Sequence, residues 1–167
     1  MKLVIVICAI LVLLSGCTVA GEFESVMDVL PVAELRPAGS IKISLPEEAT
    51  LAVFENLMEG KIYLCEGYEI TVQTLKGGDL AKTLQEITGF SKERLTVMET
   101  VQGQLKRYDC VWSAMGETED QIGKTAIFDD GYWHYVVTVM TDASKAENLQ
   151  ETWQEIFKSI SVSHIGP

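Results

Sequence analysis

Phe128-Asp129-Asp130-Gly131-Tyr132-Trp133-His134-Tyr135-Val136-Val137-Thr138-Val139-Met140 is the most strongly patterned run in the chain. Asp129-Asp130-Gly131 reads as a three-residue hairpin loop, because a type I turn followed by a left-handed glycine closes two antiparallel strands. The strand after it, 132–140, is β-branched and aromatic. Trp133, Tyr135, Val137 and Val139 fall on one face and His134, Val136, Thr138 and Met140 on the other. The strand before it is expected over Lys124–Phe128. The chain therefore turns back on itself here, and the neighbouring sheet should be antiparallel.

Working outward, Leu95–Val101 and Leu105–Met115 read as a further hairpin around Gln102-Gly103-Gln104. Lys61–Cys65 and Tyr68–Leu75 read as another around Glu66-Gly67. Gly77-Gly78 ends that run. Asp79 then caps a helix whose apolar residues Leu80, Leu84 and Ile87 share one face, and Gly89 stops it. After the central strand, Ser144 and Glu147 have capping-box spacing. Ala146, Leu149, Trp153, Ile156, Phe157 and Ile160 form one helical stripe, with Glu147, Glu151 and Glu155 on the opposite, wet side. Ile41, Ile43 and Leu45 alternate in a strand stopped by Pro46, and Ser161-Val162-Ser163 is a closing edge strand. Residues 47–57 fit either a short helix or a broken strand. The expectation is an α+β domain, a central antiparallel sheet with amphipathic helices packed on it.

The N-terminus carries a different signal. Lys2 precedes an apolar run from Leu3 to Leu14, which ends in Leu14-Ser15-Gly16-Cys17. A basic start, an apolar stretch of ~7–15 residues and small residues at the cut are the parts of a secretory signal. Membrane crossing would need ~20 apolar residues, and Gly21-Glu22 comes too soon. Cys17 after Leu-Ser-Gly resembles the lipobox of bacterial lipoproteins. The resemblance implies cleavage before Cys17, diacylglycerol on its thiol, and a protein tethered to the extracytoplasmic face of a membrane. Two or more acyl chains give a stable hold where one does not. Residues 1–16 are thus read as signal peptide, 17–40 as tether, 41–163 as the domain and 164–167 as a tail.

Within 41–163, the strand-then-proline opening IKISLPEE (residues 41–48) resembles the start of PsbP/DcrB-like domains, as does the closing order YVVTVM then ENLQETWQEIFKSISV (residues 135–140 and 147–162). That resemblance implies an α/β sandwich. It implies no activity, because the family is functionally diverse and largely non-enzymatic, with a photosynthetic accessory subunit and many bacterial lipoproteins.

The formal charge is −11, and −12 once Lys2 leaves with the signal. Such acidity argues against nucleic acid, which needs a basic footprint, and against docking directly on anionic headgroups. With Cys8 removed and Cys17 acylated, Cys65 and Cys110 remain. Two readings stay open: a disulfide between neighbouring strands, or two separate buried thiols. No metal is expected. There is no C-x-x-C, the only histidines are His134 and His164, and the acids Glu117, Glu119, Asp120, Asp129 and Asp130 lack a D-x-D-x-D-G loop. His134 reads as a partly buried, hydrogen-bonded histidine. No phosphate loop or G-x-S-x-G is present, and no cofactor is expected. Trp112 and Trp153 read as core. Tyr132 and Trp133, beside the Asp-Asp-Gly turn, are the candidate recognition patch. The functional expectation is a membrane-anchored, non-enzymatic binding or accessory domain whose partner is an envelope protein or a small ligand. The alternatives are a cell-envelope enzyme using paired carboxylates and a thiol-redox accessory protein.

Overall fold

A computed structural model of the chain describes residues 36–52 and 60–163. Cys17, the signal segment, most of the tether and the tail from His164 lie outside the described residues.

Seven strands form one antiparallel sheet in the order β2-β3-β4-β8-β7-β6-β5. They are β2 (Thr50–Ala52), β3 (Gly60–Cys65), β4 (Tyr68–Lys76), β5 (Val97–Gln102), β6 (Leu105–Ala114), β7 (Gln121–Asp129) and β8 (Trp133–Asp142). β8 pairs over nine residues with β4 on one side and with β7 on the other, so residues 133–142 lie at the centre of the sheet. Each hairpin expected from the sequence is present. Gly131 adopts φ 87° at the 129–134 turn, a left-handed conformation that glycine reaches without steric cost. A separate two-stranded ribbon pairs β1 (Ser40–Lys42) with β9 (Ser161–Ser163).

Several boundaries differ from expectation. The first strand is three residues, not five; beyond Lys42 the backbone turns to other partners, and the Ser44 N–H donates to Ser159 Oγ at 2.9 Å. Within residues 47–57, the described part holds a short strand, Thr50–Ala52, on the sheet edge. β7 begins at Gln121, three residues early, because Gly123 pairs between Trp112 and Met140.

The two helices are α1 (Leu80–Thr88) and α2 (Gln150–Ser159). Asp79 caps α1 as expected, its carboxylate accepting from the Lys82 N–H at 3.0 Å, and Gly89 closes it with φ 75°. The capping box at Ser144 does not form. Ser144 donates to Glu119 instead (3.1 Å), and the Ala143 N–H donates to the Asp120 carbonyl (2.8 Å). Residues 143–145 are thereby held against the β6–β7 loop as a 3₁₀ turn, and the α-helix starts only at Gln150.

The helices lie on opposite faces of the sheet. On one face, Trp153, Ile156 and Phe157 of α2, with Ile160 just beyond it, pack on Tyr68, Ile70, Leu105, Ala126, Phe128, Tyr135, Val137 and Val139. The β1–β9 ribbon extends this cover through Ile41 and Val162. Each large apolar side chain buried here stabilises the fold by about 1.5–3 kcal/mol. On the other face, Leu84 of α1 packs on Tyr108, Cys110, Ile127 and Val136. This second core is smaller, and its cover is a nine-residue helix.

Candidate functional site

The register places the residues of the second face in cross-strand rows. One row runs Trp112–Gly123–Met140–Glu69–Leu64 across five strands, and the next runs Cys110–Thr125–Thr138–Thr71–Ile62. The third is Tyr108–Ile127–Val136–Gln73–Gly60. Helix α1 covers the Tyr108, Ile127 and Val136 part of the third row and reaches Cys110. Met140 and Glu69 of the first row, Thr138, Thr71 and Ile62 of the second, and Gln73 and Gly60 at the far end of the third form the floor of a cleft of about 510 Å³. Ile87 and Glu86 of α1 make one wall. That volume is in the range of small-molecule sites, ~300–1,000 Å³.

Gly123 makes the cleft possible. It sits mid-strand, and a Cβ there would run into the Trp112 indole. The missing side chain lets the indole of Trp112 lie across β7 toward β8. There Trp112 Nε1–H donates to Thr125 Oγ1 at 3.1 Å, and Thr125 Oγ1 lies 3.0 Å from Thr138 Oγ1. Because the indole N–H is already used, the ring presents only carbon edge and π surface to the cleft. Met140 and Ile62 add apolar floor, and Thr71, Gln73 and Thr138 add neutral polar groups. The charged groups are Glu69 and Glu86; no Lys, Arg or His is among the described lining residues. Glu69 is half-buried between Leu64 and Met140, and burial pushes its carboxyl above the usual range.

A larger depression, about 620 Å³, lies on the other face between the ribbon and β3–β4, lined in part by Ile41, Ile43, Tyr63 and Val72. Its two lysines, Lys42 and Lys61, are exposed, and it gathers no buried polar group.

Tyr132 and Trp133 are brought together with the entering chain. Trp133 Nε1–H donates to the Arg36 carbonyl at 2.7 Å, and the Arg36 guanidinium stands 5.7 Å from the Tyr132 ring centre. Asp130 organises the turn. Its Oδ1 accepts from the Tyr132 and Trp133 N–H groups at 2.9 and 2.7 Å, and its Oδ2 accepts from the Tyr135 hydroxyl at 3.0 Å. Burial pushes the Asp130 carboxyl up, but these bonds and the Arg36 charge outweigh it and hold the group below its usual range. The Tyr135 oxygen in turn accepts from the Gly39 N–H at 2.9 Å. The turn is thus a clasp for residues 36–39, leaving the Tyr132 ring exposed.

His134 is 1% exposed. Its Nδ1 lies 2.7 Å from Thr83 Oγ1, and its Nε2 lies 3.8 Å from an Asp129 carboxylate oxygen. Burial lowers its pKa against the pull of Asp129, Asp130 and Asp79, so the ring is neutral at neutral pH. Thr83, His134 and Asp129 have the connectivity of a catalytic relay. With Thr83 only 3% exposed, however, the hydroxyl is closed to a substrate, and the trio ties α1 to β8.

The two cysteines are separate. Cys65 packs with the α2-side core and Cys110 with the α1-side core. They lie on β3 and β6, four strand positions apart, roughly 19 Å at ~4.8 Å per strand. A disulfide needs Cα atoms within ~4.4–6.8 Å, so the bridge within one chain is ruled out and both thiols are free. Burial pushes both thiols up, Cys110 to about 11, which leaves neither as a thiolate at neutral pH. Among the described residues no cluster of three or more His, Cys, Asp and Glu could hold a metal ion, and no helix is long and apolar enough to cross a membrane.

No family model and no curated protein sequence matches the chain. Solved structures do. The cyanobacterial PsbP protein CyanoP from Synechocystis sp. PCC 6803 aligns over 75% of this chain and 93% of its own, at 7% identity and TM-score 0.54. The fold is PsbP-like. The Ran-binding protein Mog1p of Saccharomyces cerevisiae aligns over 74% of this chain and 90% of its own, at 15% identity and TM-score 0.51. LpqN of Mycobacterium tuberculosis, described as involved in cell envelope biogenesis, covers 76% of this chain and 86% of its own, at 9% identity and TM-score 0.49. The fold assignment rests on the first two, and at these identities the likeness is one of fold alone.

Proposed function

We propose that this PsbP-like domain is a lipid-tethered, extracytoplasmic binding module, and that the cleft beside α1 is its small-molecule site. The observation that carries the binding reading is the half-covered sheet face. Trp112, Met140, Ile62 and Ile87 leave apolar surface open, with Glu69, Thr138 and Gln73 beside it. Apolar lining with a few placed polar groups is the composition of a ligand site. The tether rests on Leu14-Ser15-Gly16-Cys17. The closed Thr83–His134–Asp129 trio favours binding over catalysis, and the free, separate thiols turn the reading away from a cycling thiol pair.

Two measurements test this. Growth with an alkyne-bearing fatty acid should label the wild-type chain and leave Cys17→Ser unlabelled; equal labelling would remove the tether. A fragment screen followed by NMR should give shifts at Thr71, Thr138 and the Trp112 indole, and these should vanish in Ile62→Trp, which fills the cleft. Shifts that survive that substitution, or lie elsewhere, overturn the cleft as the site.

A further inference from the structure

The cleft's chemistry narrows the ligand class. Its charged lining residues are both acids, Glu69 on the floor and Glu86 on the α1 wall. Neither carboxylate has a hydrogen-bond or ion-pair partner among the described residues. Glu69 sits between two apolar neighbours in its row, Leu64 and Met140. A half-buried carboxylate without a counter-charge is costly to keep ionised, and a ligand cation would relieve that cost.

The aromatic end of the cleft is separate from the acidic end. Trp112 is on β6 and Glu69 on β4, three strand positions apart, about 14 Å at ~4.8 Å per step. The indole lies over Gly123 and so covers the first of these steps. Roughly two steps, about 9–10 Å, remain between the ring and the β4 backbone that carries Glu69. Methionine and isoleucine side chains floor and wall that interval.

We propose, on the basis of the cleft reading above, that the ligand is an organic cation with an apolar or aromatic body and a single amine at its end, an aryl-alkylamine in shape. The body lies against the Trp112 indole, Met140 and Ile87, and the ammonium group meets Glu69, with Glu86 opposite. Cations are attracted both by carboxylates and by indole π surface, and the chain's formal charge of −11 raises their local concentration.

The test compares three probes of one shape: phenethylammonium, phenethyl alcohol and 3-phenylpropionate. The full-length protein is held in phosphatidylcholine nanodiscs and labelled with 5-fluorotryptophan. It has three tryptophans, so Trp133 and Trp153 serve as internal references for Trp112. The expected result is a ¹⁹F shift at Trp112 alone, with phenethylammonium binding at least ~10-fold more tightly than the alcohol and the carboxylate weakest. The tenfold preference should shrink with added salt and be lost in Glu69→Gln while alcohol binding persists. Glu86→Gln, on the exposed helix surface, should reduce it less. If alcohol and ammonium bind equally at Trp112, the cleft stands and the cation assignment is overturned, as it is if the carboxylate binds best. If no probe moves the Trp112 resonance, both fall.

Discussion

The two faces of the seven-stranded sheet come from the same strands and differ throughout. Along β8, Trp133, Tyr135, Val137 and Val139 face α2, while His134, Val136, Thr138 and Met140 face α1. Along β4, Tyr68, Ile70 and Val72 oppose Glu69, Thr71 and Gln73. One face is aromatic and aliphatic and is roofed by a ten-residue helix and a ribbon; the other is rich in hydroxyls and acids and is roofed by a nine-residue helix over part of its width. The first face stabilises the fold. The second leaves surface that other molecules can reach.

The sharpest way to break this contrast is to truncate the roofed face. Phe157 is 3% exposed, and Phe157→Ala should cost about 3–5 kcal/mol in urea unfolding; a loss below ~1 kcal/mol would show that α2 does not anchor the core. On the open face the equivalent lever is Gly123. Gly123→Ala forces the Trp112 indole aside and should cost about 1–3 kcal/mol through overpacking, with loss of the downfield indole N–H resonance that the bond to Thr125 produces.

A third measurement addresses His134. Its folded pKa is depressed by burial, so its contribution to stability is intact above the unfolded value of ~6.5. That contribution is lost as pH falls from there toward the folded pKa. Unfolding free energy should drop across that window, and His134→Gln should flatten the drop. Glu69 has the opposite sign. Its raised pKa means its contribution is present below the unfolded value and lost as pH rises through the folded pKa. Glu69→Gln should therefore slightly stabilise the unliganded protein at neutral pH, an effect kept small by solvent screening of this half-exposed group. The smallest expected effect is that of reductant, which should leave the unfolding midpoint unchanged. Unreduced, denatured and alkylated protein should carry an adduct on both Cys65 and Cys110, one from each face.

Much of the roofed face was legible in the sequence. Period-two alternation in 132–140 and the stripe from Trp153 to Ile160 record burial against one another, and turn glycines mark where strands reverse. The cleft was harder to read, because it depends on register across five strands, which local pattern does not encode. Trp112 reads as core until Gly123 is seen to pair with it, and a glycine inside a strand is the one local hint that a neighbouring ring lies close. The same gap kept two alternatives open for Cys65 and Cys110: each sits in a strand, but face and strand order separate them. The capping box at Ser144 failed because a partner distant in sequence, Glu119, took its hydroxyl.

The short ribbon has a further implication. Ser40 and Ser163 are direct neighbours across it, their hydroxyls 2.6 Å apart, so the domain begins and finishes at one spot. A brief linker could splice those positions, and new termini could be opened at the Gly103 bend between β5 and β6, giving a circular permutant with the same sheet. By the same geometry, the whole unit could be grafted into a surface loop of an unrelated host protein as a self-contained insert.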